Sequence, residues 1–459
     1  MKRTAPLLML LAASCAAPNF QVPPESAVIP PPAWRTSPGP TAPLERQWWQ
    51  RFGDPVLTAL VERAIANNTD IAVAAARVRE ARAQERVARS QLLPTLDVGV
   101  GVAQSRSVSP FGTPAESTSA QPLFQAAYEL DLFGRIDNQV EAARQSFLAS
   151  EAAADSARLS VAAATASGYI TLRSLDARLE ILGATLQSRA EALRIARDRA
   201  EVGYTSQLEL RQAEAEYEAT AQLVPDAELQ VTRQENALSL LLGESPRDIE
   251  RGVALPDLQQ PPVPDALPSD LLRRRPDIAQ AEFTLAASDA SLAAARAQFL
   301  PQVRLTGSAG AVLSSALGDP IAIWSLGGSI LAPLFSGGRL EAQVEGAAAR
   351  RDQAAFGYRR TVLTAFREVE DNLAAVKRIR ERRSRLEAQR DAVAEALRHA
   401  TNRYQAGYSP YLEQLDAQRA LLTVQLSLTQ LEGEQLNALV ALYQAMGGGW
   451  EYESGPDQR

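Results

Sequence analysis

The sequence predicts a mainly α-helical chain with a small β part. Long coiled-coil-like helices build an α-helical barrel, and each protomer adds four transmembrane β-strands to a barrel closed by further copies. Three observations carry this prediction. The chain is an internal duplication. Each half holds a proline-free helical run of about 65 residues, about 98 Å long. Each half also holds two short stretches in which apolar and polar residues alternate.

The duplication shows at three landmarks that recur in one order. Arg89-Ser90-Gln91-Leu92-Leu93-Pro94 recurs as Arg296-Ala297-Gln298-Phe299-Leu300-Pro301, each followed by an alternating run. Leu132-Phe133-Gly134-Arg135 recurs as Leu334-Phe335-Ser336-Gly337-Gly338-Arg339. Arg199-Ala200-Glu201-Val202-Gly203-Tyr204 recurs as Arg403-Tyr404-Gln405-Ala406-Gly407-Tyr408.

The elements follow in chain order. An Ala-rich helical pattern runs from Pro55 to Leu93, and Pro94 stops it. Leu96, Val98, Val100 and Val102 alternate with Asp97, Gly99 and Gly101, which predicts a strand. The Ser-, Pro- and Gly-rich residues 104–122 predict a loop. Phe124, Ala126, Tyr128, Leu130 and Leu132 alternate with Gln125, Ala127, Glu129 and Asp131, a second strand. A long helix is predicted from about Asp137 to Val202, broken at Gly203-Tyr204-Thr205-Ser206. A helical run from Gln207 to Leu242 contains Pro225, which predicts a kink.

The second half repeats the pattern. A helix is predicted from Ser269 to Phe299, a strand from Val303 to Ala309, a loop near 314–320 and a strand from Trp324 to Ile330. A long helix from Leu340 to Tyr404 and a last helix from Tyr411 to Met446 flank a break at Gly407. Leu373, Val376, Ile379, Leu386, Val393, Leu397, Ala400 and Tyr404 recur at three-and-four spacing, the pattern of coiled-coil packing. The predicted boundaries are 1–14 for a signal peptide, 15–54 for an N-terminal tether, 55–243 for the first repeat, 244–268 for a Pro-rich linker, 269–446 for the second repeat and 447–459 for a tail.

The alternating stretches have the length of transmembrane β-strands, about 9–11 residues. Four strands cannot close a barrel, and an open sheet edge cannot face lipid. Three copies of the chain would close a barrel of about 12 strands.

The N-terminus carries Lys2 and Arg3, a short apolar run from Leu7 to Ala13, and then Ser14 and Cys15. This resembles a bacterial lipoprotein signal, with Ala12 where Leu is usual. Cleavage before Cys15 would leave it free for acylation. The Pro-rich residues 16–45 predict an extended tether.

Composition excludes several functions. The net charge of −7 argues against a nucleic-acid partner. One Cys and one His cannot form an internal disulfide or a Cys/His zinc site, so no metal or cofactor is expected. No apolar run is long enough for a transmembrane helix. The chain has no Gly-rich phosphate loop, no HExxH and no G-x-S-x-G, and His399 lies in a long helix; an enzyme is not expected.

Four further motifs are Trp48-Trp49-Gln50-Arg51-Phe52-Gly53-Asp54-Pro55, Leu271-Leu272-Arg273-Arg274-Arg275-Pro276-Asp277-Ile278, Arg403-Tyr404-Gln405-Ala406-Gly407-Tyr408-Ser409 and Leu415-Asp416-Ala417-Gln418-Arg419. With them the chain closely resembles the outer-membrane efflux channels of the TolC family, in the lipoprotein branch that serves resistance-nodulation-division pumps. The resemblance spans essentially the whole mature chain. It implies a homotrimer in the outer membrane, in contact with its lipid, reaching into the periplasm. It implies docking to a periplasmic adaptor and an inner-membrane resistance-nodulation-division transporter, and passive export of drugs or other small molecules.

By the same resemblance, the turns at Gly203 and Gly407 are periplasmic tips. Glu413 and Asp416 match carboxylates that ring the family's closed aperture, a ring that favours cations and binds divalent ions at the mouth. Tyr404 and Glu209 match a tyrosine-to-acid link that holds the tips closed. Ser409 stands where the family has an arginine in that network. Two other readings remain open: an exit duct for type I protein secretion, and a structural coiled-coil lipoprotein. The second leaves the four alternating stretches unexplained.

Overall fold

A computed structural model describes residues 21–36, 41–108, 110–315 and 318–450. The signal residues 1–14, Cys15 and residues 451–459 lie outside the described residues.

Strand β1 (Thr41–Ala42) precedes helix α1 (Pro55–Asn67). Asp54 caps α1 by accepting from the N–H groups of Val56 at 2.8 Å and Leu57 at 3.3 Å. The predicted helix from Pro55 to Leu93 is two helices, α1 and α2 (Thr69–Ser90). Asn68 is extended between them. Its side-chain oxygen accepts from the N–H groups of Asp70 and Ile71, and its amide donates to the Leu241 carbonyl at 2.8 Å. A cap that also ties down another helix end offsets the lost turn.

Strands β2 (Thr95–Val108) and β3 (Pro114–Leu130) extend well into the predicted loop 104–122. The hydroxyls of Ser105 and Ser117 meet at 3.1 Å, and Arg106 pairs with Glu116 at 3.5 Å. Cross-strand pairs outweigh the loop-like composition there. Helix α3 (Arg135–Glu201) has 67 residues, about 100 Å of helix. The next run is interrupted at one residue, into α4 (Gln207–Ala221) and α5 (Leu223–Leu241), and Gln222 between them keeps helical dihedrals, at φ −66° and ψ −22°. Pro225 has no N–H for the Ala221 carbonyl, so the break falls at Gln222.

Strand β4 (Val263–Pro264) lies in the predicted linker and pairs in parallel with β1. The predicted helix from Ser269 to Phe299 becomes α6 (Leu271–Arg274) and α7 (Pro276–Ala297). Arg275 precedes a proline and is held extended, at φ −109° and ψ 122°. Strands β5 (Gln302–Ser314) and β6 (Ile321–Leu331), helix α8 (Arg339–Gln405, 67 residues) and helix α9 (Tyr411–Ala445) complete the chain.

The chain forms two compact units, each drawn from both sequence halves. The first comprises Met1–Val28, Ala76–Glu151 and Gln280–Arg360. It holds one antiparallel sheet in the order β2-β3-β5-β6, so β2 and β6 are its edges. Register puts Val98, Phe124, Ala309 and Trp324 side by side in one row, with Leu96, Ala126, Gly307 and Leu326 in the next. The opposite face carries rows such as Asp97, Gln125, Ser308 and Ser325. Leu96, Val98, Val100, Val102, Trp324 and Leu326 are exposed. One core cluster of this unit packs Leu292 of α7 and Phe299, just past its end, against Leu340, Val344, Ala347 and Ala348 of α8.

The second unit comprises Ile29–Ala75, Ala152–Ala279 and Thr361–Arg459. Trp48 is fully buried and stacks on Tyr443, with ring centroids 5.4 Å apart. Buried Arg275 reaches Asp277 at 2.7 Å, Glu368 at 2.8 Å and the Ala445 carbonyl at 2.8 Å. The Arg-Pro-Asp motif thus ties the start of α7 to α8 and to the C-terminal end of α9, where a cation also meets the negative end of the helix dipole. Gly447 follows α9 at φ 93°, and a Cβ there would lie 1.9 Å from the Arg274 carbonyl oxygen.

The predicted extended tether is, where described, held in place. In the first unit Arg351 donates to the Gln21 carbonyl at 2.8 Å, and Arg359 donates to the Ala27 carbonyl at 2.8 Å. In the second unit the Trp34 indole donates to the Ala266 carbonyl at 2.7 Å, and the Glu370 carboxylate accepts from the N–H groups of Arg35 and Thr36. Proline-rich chain has little entropy to lose, so a few hydrogen bonds suffice to fix it.

Candidate functional site at the paired helix turns

Two turns of the same construction lie in the second unit. After α3, Gly203 takes φ 74°, and the N–H groups of Gly203 and Tyr204 donate to the carbonyls of Ala200 at 3.2 Å and Arg199 at 2.8 Å. After α8, Gly407 takes φ 77°, and the N–H groups of Gly407 and Tyr408 donate to the carbonyls of Tyr404 at 3.0 Å and Arg403 at 2.8 Å. This is a glycine C-cap used twice, and the left-handed backbone is why glycine stands at each turn. Ser206 then caps α4, its hydroxyl accepting from the Glu209 N–H at 3.3 Å.

The turns deliver four helices to one cluster. Ala196 of α3, Leu210 and Ala213 of α4, and Tyr411 and Leu415 of α9 are buried together, with Tyr404 of α8 packed against them. The Tyr404 hydroxyl donates to the Glu209 carboxylate, so a side chain of α8 grips one of α4. Burial, and then the Glu209 carboxylate, push the Tyr404 phenol up to about 12. Arg199 lies over the Tyr404 ring, 5.7 Å from its centroid, and its guanidinium donates to the Tyr404 hydroxyl at 3.4 Å.

The family resemblance pairs Tyr404 with Glu209, and the structure brings them together. Arg199 was missed. Its signal is the internal repeat: Arg199 holds in the first turn the place that Arg403 holds in the second. Ser409 has a buried hydroxyl without a hydrogen-bond partner among the described residues. The cation beside Tyr404 therefore comes from α3.

Glu413 and Asp416 stand apart from this hydrogen-bonded group. Both are exposed at the start of α9, at 47% and 65%. Each faces an arginine at 3.8 Å, Arg403 beside Glu413 and Arg419 beside Asp416. Arg419 also reaches the buried Glu216 of α4 at 2.7 Å, and Glu216 pairs with the buried Arg189 of α3 at 3.0 Å. Burial lowers the Arg189 guanidinium from its ordinary value, and Glu216 opposes that. Among the described residues no group of three His, Cys, Asp or Glu side chains could hold a metal ion. No described helix is long and apolar enough to cross a membrane.

Comparison with known proteins supplies the context. The family model described as outer membrane efflux protein matches residues 60–244 and 267–448. The toluene efflux pump outer membrane protein TtgC of Pseudomonas putida is 36% identical over 95% of this chain and 93% of its own length. The pyoverdine export outer membrane protein OpmQ of Pseudomonas putida is 32% identical over 97% of this chain and 98% of its own. The solved structure of the open state of the Neisseria gonorrhoeae MtrE outer membrane channel superposes with a TM-score of 0.83 at 30% identity, covering 95% of this chain and 98% of that one.

Proposed function

The chain belongs to the outer membrane efflux protein family, and on that premise we propose that it works as a homotrimer closed around one lumen. As a member of that family it is an outer-membrane efflux channel, the exit duct of an efflux pump. The observation that carries the trimer is the sheet. It is antiparallel, its apolar face is continuous across all four strands, and β2 and β6 each pair on one side only. Unpaired backbone groups at those edges cost several kcal/mol each in hydrocarbon. Pairing β6 of one copy with β2 of the next removes them, and three copies make a barrel of about 12 strands. The apolar face then meets lipid and the Asp97–Gln125–Ser308–Ser325 face meets water.

The finer reading follows from this. A periplasmic adaptor and an inner-membrane resistance-nodulation-division transporter complete the pump and supply the energy. The protein performs no reaction. Cys15 carries the lipid anchor, residues 1–14 are the signal peptide, and the repeats 55–243 and 269–446 flank the 244–268 linker. The turns at Gly203 and Gly407 form a gate that Tyr404 and Glu209 hold shut. Two relatives of similar identity are named for toluene and for pyoverdine. So different a pair of cargoes fits a duct whose pump does the selecting.

The test is the mass of the detergent-purified mature protein together with negative-stain images. Three-protomer mass and a central hole are expected; a monomer or a solid dimer would sink the reading. A second expectation concerns the lumen mouth. Glu413→Gln with Asp416→Asn should lower the cation preference and the block by divalent ions in planar bilayers. Because Arg403 and Arg419 already stand beside these acids, the change should be a few-fold rather than complete. An unaltered reversal potential would remove both acids from the mouth.

A further inference from the structure

Arg351 is 3% exposed, and one nitrogen of its guanidinium holds the chain's N-terminal segment. It donates to the Gln21 carbonyl at 2.8 Å and to Asp352 at 2.9 Å, with Asp289 at 3.9 Å. Two turns further along α8, Arg359 donates to the carbonyls of Glu25 and Ala27. Between these grips Pro23 and Pro24 stiffen the segment, and the Ser26 hydroxyl closes a turn onto the Pro23 carbonyl at 2.7 Å. These grips take main-chain carbonyls, so they fix where the segment lies along α8 whatever its side chains. A buried guanidinium is costly to desolvate, and hydrogen bonds must offset that cost.

We propose that Arg351 and Arg359 form a clamp that sets the height at which the lipid-anchored chain meets the membrane. The proposal rests on the reading of Cys15 as acylated. Chain geometry supports it. Six residues separate Cys15 from Gln21, a reach of at most about 20 Å. Arg351 lies twelve residues into α8, about 18 Å from the helix start, and α8 starts just after strand β6. At full extension the leash is therefore about as long as the stretch of α8 from Arg351 back to the helix start. Without the clamp the next hydrogen-bonded point is Trp34, and the leash grows to a reach of at most about 65 Å. A short leash keeps the sheet of an unassembled protomer at the bilayer, at high effective concentration for insertion and for edge pairing with other copies.

The test is a double-mutant cycle read as the amount and rate of outer-membrane trimer formation after a pulse of synthesis. Arg359→Gln and Arg351→Lys are each placed in the full-length chain. They are also placed in a version exported by an ordinary secretory signal with Cys15→Ser. In the lipid-bearing chain each variant should slow trimer formation several-fold, and in the lipid-free version neither should slow it further. An equal slowing in both versions would mean that the arginines only stabilise the fold, and would overturn the proposal. No slowing in the lipid-bearing chain would overturn it as well. Labelling with radioactive palmitate separates the premise from the proposal. An unlabelled wild-type chain refutes acylation and the clamp together; a labelled chain with additive effects refutes the clamp alone. Arg351→Lys keeps the buried charge and Arg359 is only partly buried, so the cycle does not depend on a variant that empties the core.

Discussion

Tyr404→Phe is expected to open the channel. The variant keeps the ring that packs against Tyr411, 5.5 Å between centroids, and removes the one atom that joins α8 to Glu209 of α4. Hydrogen bonds to charged groups contribute about 1.5–3 kcal/mol. The loss of one in each copy should shift the closed-to-open ratio at least tenfold. Arg199 then loses its hydroxyl acceptor but keeps the aromatic face, so the residual closure rests on packing. Two measurements check this: a rise in single-channel conductance in planar bilayers, and a gain in susceptibility of whole cells to large antibiotics such as vancomycin. Conductance and susceptibility both at wild-type values would remove Tyr404 from the gate. Glu209→Gln should leak less than Tyr404→Phe, because an amide oxygen still accepts from the phenol. The pH dependence follows from the phenol, whose folded value is raised to about 12. A raised value means the contribution is complete below the ordinary tyrosine value near 10 and is lost as pH rises through about 12. The link therefore stands throughout the neutral and mildly alkaline range.

The periodic parts of this fold were legible in the sequence, because long helices and alternating strands write their geometry into residue spacing. Both 67-residue helices lie within two residues of their predicted ends. Structure carried by one side chain was not legible. Asn68 breaks the first helix by capping α2 and bonding to Leu241, and nothing local distinguishes that Asn from a solvated one. Residues 104–122 have a loop's composition, yet much of the stretch is strand, since pairing such as Ser105 with Ser117 is a property of two segments together. The clamp on Gln21 was hidden for a related reason: its donors lie far along the chain on α8 and grip carbonyls that every sequence has. At the turns the glycines and the Tyr404–Glu209 pair were readable, the first from backbone need and the second from resemblance. Arg199 was readable only from the repeat, since an exposed-looking arginine in a charged helix end has no local mark.

Gly310→Ala should deplete the assembled channel more than tenfold, although the change is a single methyl. Gly310 lies opposite Leu123 of β3 and Ile323 of β6, in the middle of the sheet. A Cβ there would lie 2.1 Å from the Pro122 carbonyl oxygen and 3.0 Å from the Leu123 Cα, which are backbone atoms with no rotamer to change. Pro122 has no N–H, and the β3–β5 pairing skips Gln121 and Pro122 while the register continues unchanged on both sides. The Gly310 backbone therefore lies against β3 with no room for a side chain, beside a residue that lacks a donor. A methyl group must push β5 away from β3 at that point, and each ladder bond lost in hydrocarbon costs several kcal/mol. Trimer in the outer-membrane fraction should fall by more than tenfold, which corresponds to about 1.4 kcal/mol. Gly101→Ala is the control. It sits on the same face of the same sheet, and a Cβ there meets nothing within 4 Å. Wild-type trimer levels in Gly310→Ala would show that β3 and β5 do not pair in this register within the membrane. Equal losses in both variants would show that any methyl on that face is harmful, and that the close approach at Pro122 is not the cause.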